Sequence, residues 1–350
     1  MAQRPTIKTI AKETGLSTAT VSKALNASPQ VRPRTRDKVL QAAKELGYEL
    51  NISGVQLRTG KTYQIAMVTV IASPDDDEWA GVGYTQLISG ISRAIAHTPY
   101  RVVQYQVASF DESFEVIKRI VQNKKADGII ISGTRINDPR ISFMQEQEFP
   151  FVTYGTSDAS APHAYVDTDN RRIVTICVDR LLSKGHRRIA MINAREELNY
   201  TQNRVEAYTA SLSRAGLSFD PSLIAYGRLT PAFGREQLFE MSMFEEPPTA
   251  YICANEATAM GVLSGFQVRG MEHGRDAVVI ATDDLNVSQY FSPPITTCYL
   301  PISKPSETLG QFMLDLIGGE DPINLQKLFV PDLIERGADT CNLEKQQAQS

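Results

Sequence analysis

Apolar positions in the first 50 residues recur at intervals of three and four, and this spacing predicts three short helices. Thr6 can cap the first helix, which Gly15 then ends. Ser17 can cap the second helix, and the third runs from about Pro33 to Leu46. Two short helices joined by a tight turn and supported by a third helix are typical of a helix-turn-helix unit.

The second of these helices has one apolar face and one face of small polar or cationic side chains. Val21 and Leu25 should pack against the other helices. The other positions can approach base edges and phosphates in DNA. On the third helix, the cationic residues Arg34, Arg36 and Lys38 should face solvent or backbone phosphate.

From Thr62 onward, short apolar runs that favour β-structure alternate with amphipathic helical stretches. Predicted strands are 64–72, 101–107, 128–132, 151–154, 188–193, 250–254 and 277–281, and predicted helices are 84–96, 114–123, 170–184, 203–215 and 256–269. This alternation predicts an α/β body with parallel sheets. The series restarts near 160–165, which predicts two lobes with a ligand cleft beyond the strand carboxyl ends.

The balance of charge changes near residue 62, where the hydrophobic pattern also changes. Residues 1–62 hold 11 Lys and Arg against 4 Asp and Glu, whereas the remainder holds 25 against 36. The whole chain has a formal net charge of −4, which conceals the basic head. A basic head attached to an acidic body favours DNA as a partner of the head alone.

Other features argue against a membrane protein, a secreted protein and an enzyme. The four cysteines are scattered, and the chain starts without an apolar export segment, so we expect reduced thiols and a cytoplasmic protein. The longest apolar run, near 65–72, is too short to span a bilayer. The sequence shows no Gly-x-Ser-x-Gly motif, Cys–His pair or metal-ligand spacing, so we expect no catalysis, metal or cofactor.

The head resembles the DNA-binding head of the LacI/GalR family of bacterial transcription regulators. The likeness lies in Thr-Ile-Lys-Thr-Ile-Ala-Lys-Glu-Thr-Gly-Leu-Ser at 6–17, Thr-Val-Ser-Lys-Ala-Leu-Asn at 20–26, Thr-Arg-Asp-Lys-Val at 35–39 and Leu-Gly-Tyr at 46–48. Where the family usually caps the third helix with Ser, this chain has Arg32. The rest of the chain is similar to the family's regulatory domain, which is two-lobed and of the type I periplasmic-binding-protein kind.

This resemblance implies a domain organisation. We expect an all-α helix-turn-helix head over 1–50, a hinge helix or linker over 51–62, and an effector-binding and dimerisation domain over 63–340, followed by a tail over 341–350. The first lobe would comprise about 63–164 with 301–325, and the second about 165–300 with 326–340.

The resemblance also implies DNA contacts in the linker. Leu57 matches the leucine that the family inserts into the minor groove, where an apolar wedge unstacks a base step. Gly54 stands where the family commonly has Ala, and glycine weakens an isolated helix by about 1 kcal/mol. The candidate DNA-contacting residues are Thr6, Ser17, Thr18, Ala19, Thr20, Ser22, Lys23, Asn26, Arg34, Asn51, Gly54, Val55 and Leu57.

In the body, Arg204, Asn255 and Asp283 match effector-binding positions of the family. They suit a polyol, because a carboxylate accepts from hydroxyls while Arg and Asn donate to oxygens. Alternatively, Arg204 forms a structural ion pair with Asp283 or Glu206. The full candidate set is Trp79, Tyr84, Ser132, Tyr154, Gly155, Arg204, Asn255, Asp283 and Ile302.

Two features of the first lobe allow more than one interpretation. Trp79 could stack on a sugar at the cleft or lie in a core. The four consecutive acids at 75–78 are expected to form a solvated loop rather than a cation site, because they lack alternating spacing and a turn glycine.

Together these features predict a homodimeric repressor of a carbohydrate or glycoside operon on a pseudo-palindromic operator, relieved by a sugar-type effector. A weaker resemblance over 54–62, 78–91, 150–155 and 163–170 points to the α-glucoside or disaccharide branch of the family. A regulator that responds to a purine or another metabolite is the alternative within the family. A solute-binding transport protein and a sugar-processing enzyme with a fused head are the alternatives from other classes.

Overall fold

The computed structural model describes residues 5–25, 28, 30–48, 60–71, 74–158 and 161–336, with the backbone alone for 74–82. Five of the predicted DNA contacts, Asn26, Asn51, Gly54, Val55 and Leu57, lie outside the described residues, as does the side chain of Trp79. The chain divides into two compact units, a head over residues 1–61 and a body over residues 62–350.

The head contains the three predicted helices, α1 (Ile7–Thr14), α2 (Thr18–Leu25) and α3 (Pro33–Glu45). Thr6 caps α1, and Gly15 ends it with a φ of 67°. The Ser17 hydroxyl accepts a hydrogen bond from the Thr20 amide at 3.1 Å and so caps α2. Arg32 gives α3 no side-chain cap, so Pro33 alone favours the helix start.

A small apolar core holds the head together. Ile10, Val21 and Val39, one from each helix, are completely buried, and small alanines fill the space between them. Each short helix therefore depends on the other two for stability, because an isolated helix of eight residues is marginal in water.

The body consists of two six-stranded sheets covered by helices. In chain order its elements are β1 (Gln64–Val70), α4 (Pro74–Ile95), β2 (Arg101–Val107), α5 (Phe110–Gln122), β3 (Gly128–Ser132), α6 (Pro139–Glu146), β4 (Phe151–Tyr154), β5 (Ala164–Thr168), α7 (Asn170–Ser183), β6 (Ile189–Asn193), α8 (Asn199–Arg214), β7 (Ile224–Tyr226), α9 (Pro231–Met241), β8 (Ala250–Cys253), α10 (Glu256–Arg269), β9 (Val278–Asp283), β10 (Thr296–Tyr299), α11 (Ser303–Ile317), β11 (Gln326–Phe329) and β12 (Asp332–Ile334).

The first sheet is parallel throughout, in the order β11-β5-β4-β3-β1-β2. The second has the order β12-β10-β9-β8-β6-β7, and only its edge strand β12 is antiparallel. Helices pack on both faces of each sheet and give it two apolar cores. This arrangement confirms the predicted α/β body with parallel sheets.

The predicted lobe boundaries require a correction, because β5 and β11 belong to the first sheet. Val152 of β4 pairs with Ala164, and Tyr165 of β5 pairs with Gln326. The chain therefore crosses to the second sheet after residue 168 rather than after 164, and again after residue 329 rather than after 325. The sheet to which each of these short strands belongs depends on the strand with which it pairs. The local hydrophobic pattern does not specify the pairing partner.

Two local predictions are also wrong. The acids at 75–78 lie in α4 rather than in a loop. The helix predicted to start at residue 203 starts at Asn199. None of the described helices combines the length and apolar character that crossing a bilayer requires.

Candidate functional site

Helix α2 presents the residues predicted to read DNA. Thr18, Ala19 and Lys23 are exposed, whereas Thr20 and Ser22 are half-buried. The Lys23 ammonium donates to the Gln30 side chain at 2.9 Å on the surface, so this cation is held close to the helix that carries it. The outward face of α2 is thus small and polar, which allows its backbone to approach a groove closely.

The helix N-termini of the head are open to anions. None of the three helices carries an acidic residue in its first turn, so their positive dipole ends are not neutralised. Thr6 and Ser17 lie at two of these ends, and the exposed Arg34 lies in the first turn of α3. Helix N-termini with such neighbours suit DNA phosphates.

Two of the three α3 cations predicted to face solvent or phosphate donate hydrogen bonds to backbone carbonyls. The Lys38 ammonium donates to the carbonyl of Thr14 at 2.8 Å, where it closes the end of α1. The Arg36 guanidinium donates to the carbonyl of Ser28 at 2.8 Å. Of the three, Arg34 remains the candidate for a phosphate contact.

In the body, the carboxyl ends of strands from both sheets face one cleft. It comprises two adjoining cavities, one of about 370 Å³ and one of about 600 Å³. Residues that line both cavities are Gly83, Tyr84, Ser132, Gly133, Tyr154, Leu198, Tyr200, Leu229 and Asp284. The predicted residues Gly155, Arg204, Asn255 and Asp283 line the smaller cavity, and Ile302 lines the larger one.

Arg204 lies on α8, lines the smaller cavity and is 7% exposed. Its Nε donates to the Asn170 side chain at 2.8 Å, and its Nη1 donates to the carbonyl of Ala254 at 3.2 Å. The guanidinium also lies 5.2 Å from the centre of the Tyr200 ring. The ion pair considered as an alternative is not formed, because Glu206 pairs with Arg171 and Asp283 bonds elsewhere.

Asn170 and Asp167 extend this network to the first sheet. Asn170 donates to Asp167 at 3.4 Å, and Asp167 at the end of β5 also accepts the amides of Thr156 and Thr168 at 2.9 and 2.7 Å. Burial raises the pKa of Asp167, although these amide bonds oppose the shift. The hydrogen-bonded series Asp167, Asn170, Arg204 and Ala254 therefore joins the strand ends of the two sheets across the cleft.

Asp167, Asn170 and Tyr200 are missing from the sequence-predicted site. A signal existed in Val-Asp-Thr-Asp-Asn at 166–170, since polar residues after an apolar strand commonly line such clefts. The strand itself is only five residues long, and it is absent from the predicted elements. Without the strand, the position of its carboxyl end could not be used.

Asp283 has a role that differs from the predicted one, and Asn255 serves as a helix cap at the cleft. The Asp283 carboxylate is completely buried and accepts backbone amides from Leu285, Asn286 and Ser288 at 3.1, 2.6 and 3.0 Å. Asn255 caps α10 by accepting the Thr258 amide at 2.9 Å. Because these oxygens are engaged by the protein, both residues shape the cleft wall, which corrects the prediction that the Asp283 carboxylate accepts ligand hydroxyls.

Asp284 and Glu256 are the carboxyls available to a ligand at this end. Burial, followed by the charge of Asp283, raises the pKa of Asp284 to about 6. Burial, followed by the charge of Asp284, raises the pKa of Glu256 to about 8. Together with Asp283 they lie close enough to share a cation, but Asp283 already accepts three amides. A partly protonated pair can both donate to and accept from hydroxyl groups.

Three tyrosines line both cavities. The Tyr84 hydroxyl accepts a hydrogen bond from Ser132 at 3.2 Å. Burial raises the pKa of Tyr154 well above its usual range and that of Tyr200 to about 12, so both remain neutral donors. Neutral phenol rings offer an apolar face together with a polar edge, which suits a sugar ring.

Gly155 and Ile302 complete the predicted set. Gly155 has a φ of 120°, and a Cβ there would lie 2.7 Å from the Thr134 hydroxyl, so this bend at the cleft requires glycine. Ile302 is 8% exposed and packs in the core of the first sheet, so it supports the cleft more than it lines it.

Comparison with known proteins identifies the two parts of the chain. A family model described as "Bacterial regulatory proteins, lacI family" matches residues 6–51, and one described as "Periplasmic binding protein-like domain" matches residues 178–338. The HTH-type transcriptional regulator AglR of Rhizobium meliloti (strain 1021) is 29% identical over 336 residues, which cover 95% of this chain and 93% of AglR. The chain therefore carries the DNA-binding domain of the lacI family followed by a periplasmic-binding-protein-like domain.

Solved structures agree with this assignment. The complex of the transcriptional regulator CelR with cellobiose has a TM-score of 0.71 at 25% identity, and the match covers 96% of this chain and 100% of that chain. The lac repressor dimer bound to operator and the anti-inducer ONPF has the same fold, with a TM-score of 0.77 at 20% identity over 97% of this chain and 100% of that chain. The matched lacI-family head and the curated relatives, which are transcriptional regulators, confirm the prediction of a DNA-binding regulator rather than an enzyme.

Proposed function

We propose that this protein is a homodimeric transcriptional repressor of the LacI family whose hold on a pseudo-palindromic operator is relieved by a sugar or glycoside bound in the cleft. The observation that carries the proposal is the buried Arg204 network, which joins the two sheets across a polar cleft. A ligand that bonds to this network contacts both sheets at once. It can therefore favour one arrangement of the lobes over another.

The head supports the DNA-binding half of the proposal. Its open helix N-termini and the exposed face of α2 form a phosphate- and base-contacting surface. One such head is small, so tight specific binding requires two heads on two half-sites. The lac repressor was solved as a dimer on its operator, and we infer the same assembly here, mediated by the body over 63–340.

The linker over 51–62 is the proposed hinge helix between head and body. Leu57 would be the minor-groove wedge, and Gly54 would make the order of this segment depend on DNA. We further infer a cytoplasmic location, with the protein at the nucleoid while it holds its operator.

The cleft supports a neutral polyol as ligand. Asp284 and Glu256 supply acceptors and a protonated donor at one end, and the three tyrosines supply ring faces beside them. Both features are typical of sugar sites, in which hydroxyls pair with carboxyls and the ring face packs on aromatics. CelR binds cellobiose, which supports a disaccharide or glycoside here as well.

A two-stage experiment tests the proposal. Selection from random duplex at moderate salt should yield an inverted repeat, because two related heads read two half-sites. Titration of the protein–operator complex with glucose, methyl α-glucoside, maltose, cellobiose and hypoxanthine should then show release by a sugar, and Trp79 fluorescence reports binding. The proposal fails if no inverted repeat is enriched, or if hypoxanthine alone changes operator affinity.

Leu57→Ala tests the linker. We expect specific operator affinity to fall on the order of 10-fold, because an unstacked base step is no longer stabilised by the wedge. Binding to random duplex and to sugar should not change. Leu40→Ala, at an exposed leucine of α3, is the matched control. Equal operator affinity of the two variants would remove Leu57 from the interface.

A further inference from the structure

We propose that Asp127 is a positioning residue for DNA binding, which clamps the first residues of the body and couples them through β3 to the ligand cleft. The inference rests on the proposed function and names a residue that transmits its regulation. Asp127 lies outside the cleft and outside the head, and no part of the proposed ligand or DNA chemistry uses it.

The clamp consists of three hydrogen bonds to one carboxylate. Oδ1 of Asp127 accepts the Thr62 amide at 2.8 Å and the Thr62 hydroxyl at 3.0 Å, and Oδ2 accepts the Tyr63 amide at 2.9 Å. The Thr62 hydroxyl in turn accepts the Gln64 amide at 3.1 Å. Charged acceptors form the stronger hydrogen bonds in proteins, so the body begins at a firmly fixed residue.

The backbone at this point is held in an unusual conformation. Tyr63 has a φ of 54°, in the left-handed region that bulky residues seldom occupy. The Tyr63 carbonyl accepts the Arg101 amide at 3.1 Å. The Tyr63 ring packs edge-on against the Tyr100 ring, with 5.3 Å between the ring centres. Such a conformation persists only where surrounding contacts enforce it, and the Asp127 carboxylate supplies the contacts on one side.

Asp127 is joined to the cleft by one short strand. It directly precedes β3, whose five residues are all completely or almost completely buried, and the strand ends at Ser132 and Gly133 in the cleft. Five residues of strand span about 16 Å. On its way β3 pairs with β1, which starts at Gln64 beside the clamp.

This geometry makes β3 a rigid connection between two sites. Its carboxyl end, at Ser132, lines the cleft, and its amino end follows Asp127, which holds the end of the linker. A close-packed strand moves as a unit rather than bending, so a shift at Ser132 reaches Asp127 with little loss. The segment that precedes Thr62 starts from a point that Asp127 fixes. Removing the carboxylate frees that starting point and disconnects the linker from the cleft.

The first experiment needs no ligand and uses the full chain with its selected operator. Asp127→Ala should lower specific operator affinity on the order of 10-fold, within the range of typical couplings between sites. The operator affinity of Asp127→Asn should lie between those of the natural chain and of Asp127→Ala. Its side-chain oxygen can still accept from Thr62, but its NH2 group then faces the Tyr63 N–H, which is also a donor. Asp315→Asn is the matched control, since among the contacts described the Asp315 side chain bonds only to Gln311 on its own helix.

A merely structural role predicts a different result. In that case Asp127→Ala would lower Tm and affinity for specific and random duplex together. The clamp instead predicts unchanged random-duplex binding and non-additive effects of Asp127→Ala and Thr62→Val on operator affinity, because both remove the same contact. Unchanged operator affinity in Asp127→Ala, or additive effects in the pair, overturns the inference.

The second experiment measures regulation with maltose and cellobiose as probes. Asp127→Ala should bind the active sugar as the natural chain does, yet the sugar should change operator affinity several-fold less. If a sugar releases the natural chain and Asp127→Ala equally, the inference fails while the proposed function stands. If neither sugar changes the operator affinity of the natural chain, the proposed class of ligand is wrong. The role of Asp127 is then tested by the ligand-free operator measurements of the first experiment.

Discussion

The head and the cleft both use polar side chains, but they expose them differently. Thr18, Ala19 and Lys23 of the head lie on the surface, where each remains available to DNA. In the cleft, Arg204 and Asp283 are buried and bonded to the protein itself. A residue type at the right position on a helix therefore predicts exposure at a surface, whereas in a buried site its hydrogen-bond partners decide what it does.

The largest effect should follow from the loss of the buried cation. Arg204→Met should lower sugar affinity about 100-fold, because it removes the link between the sheets and leaves the Asn170 oxygen unpaired. Operator affinity without sugar should change less than about threefold, because the head is untouched. Calorimetric titration measures the sugar affinity, and gel-shift assays measure the operator affinity.

Arg171→Met serves as the control for this variant. Arg171 is an exposed arginine of α7 that pairs with Glu206 on the surface, where ion pairs contribute little. If Arg171→Met and Arg204→Met weaken sugar binding equally, burial does not distinguish the two arginines, and the contrast between head and cleft loses its basis.

A smaller effect should appear in the pH dependence of the body. Burial, followed by the charge of Asp284, raises the pKa of Glu256 from 4.5 to about 8. The folded state then holds this proton more tightly than the unfolded chain, so its contribution to stability is full below pH 4.5 and is lost as the pH rises to 8. We expect Tm to fall between pH 6.5 and 8, by an amount that corresponds to roughly 2 kcal/mol.

Glu256→Gln should remove most of that slope and raise Tm at pH 8, as calorimetry would show. The window lies above the folded pKa of Asp284, about 6. Burial lowers the pKa of His163 from 6.5 to about 4, so His163 makes stability rise with pH up to about 6.5, opposite in sign to Glu256. Glu236→Gln, at an exposed position of α9, is the control. The same slope in both variants would contradict a buried, protonated Glu256.

The smallest effects should separate two cations of α3. Lys38→Met should destabilise the head by about 1 kcal/mol, seen as faster hydrogen exchange of α1 in the full chain, because the bond to Thr14 is lost. Arg34→Met should leave exchange unchanged and lower the slope of log affinity against log salt by about 1. The reverse pattern would make Lys38 the phosphate contact and Arg34 the structural residue.

Much of the head was predictable because its signals are local. The caps at Thr6 and Ser17, the end of α1 at Gly15 and the buried Val21 all follow from residues within one or two turns. The roles of Arg36 and Lys38 were not predictable, because their partners lie 8 and 24 residues away in sequence.

The cleft shows a similar limit. Ser132, Tyr154, Arg204 and Asn255 were correctly expected at the cleft, since each follows or faces the end of a recognisable strand. Asp167 was missed with its short strand, and Asp283 was given the acceptor role that is open to its neighbour Asp284. Which of two adjacent carboxyls faces inward depends on the turn that follows the strand.

The helices of the head, the α/β alternation of the body and the segregation of charge follow directly from the amino-acid order, because periodicity, capping and net charge are properties of neighbouring residues. Three features depend on the folded chain: β5 and β11 join the first sheet, Arg204 bridges the two lobes, and Asp127 holds the start of the body. These features are contacts between segments far apart in the chain. Such contacts stabilise the protein only after folding has brought the segments together, so local sequence patterns do not reveal them.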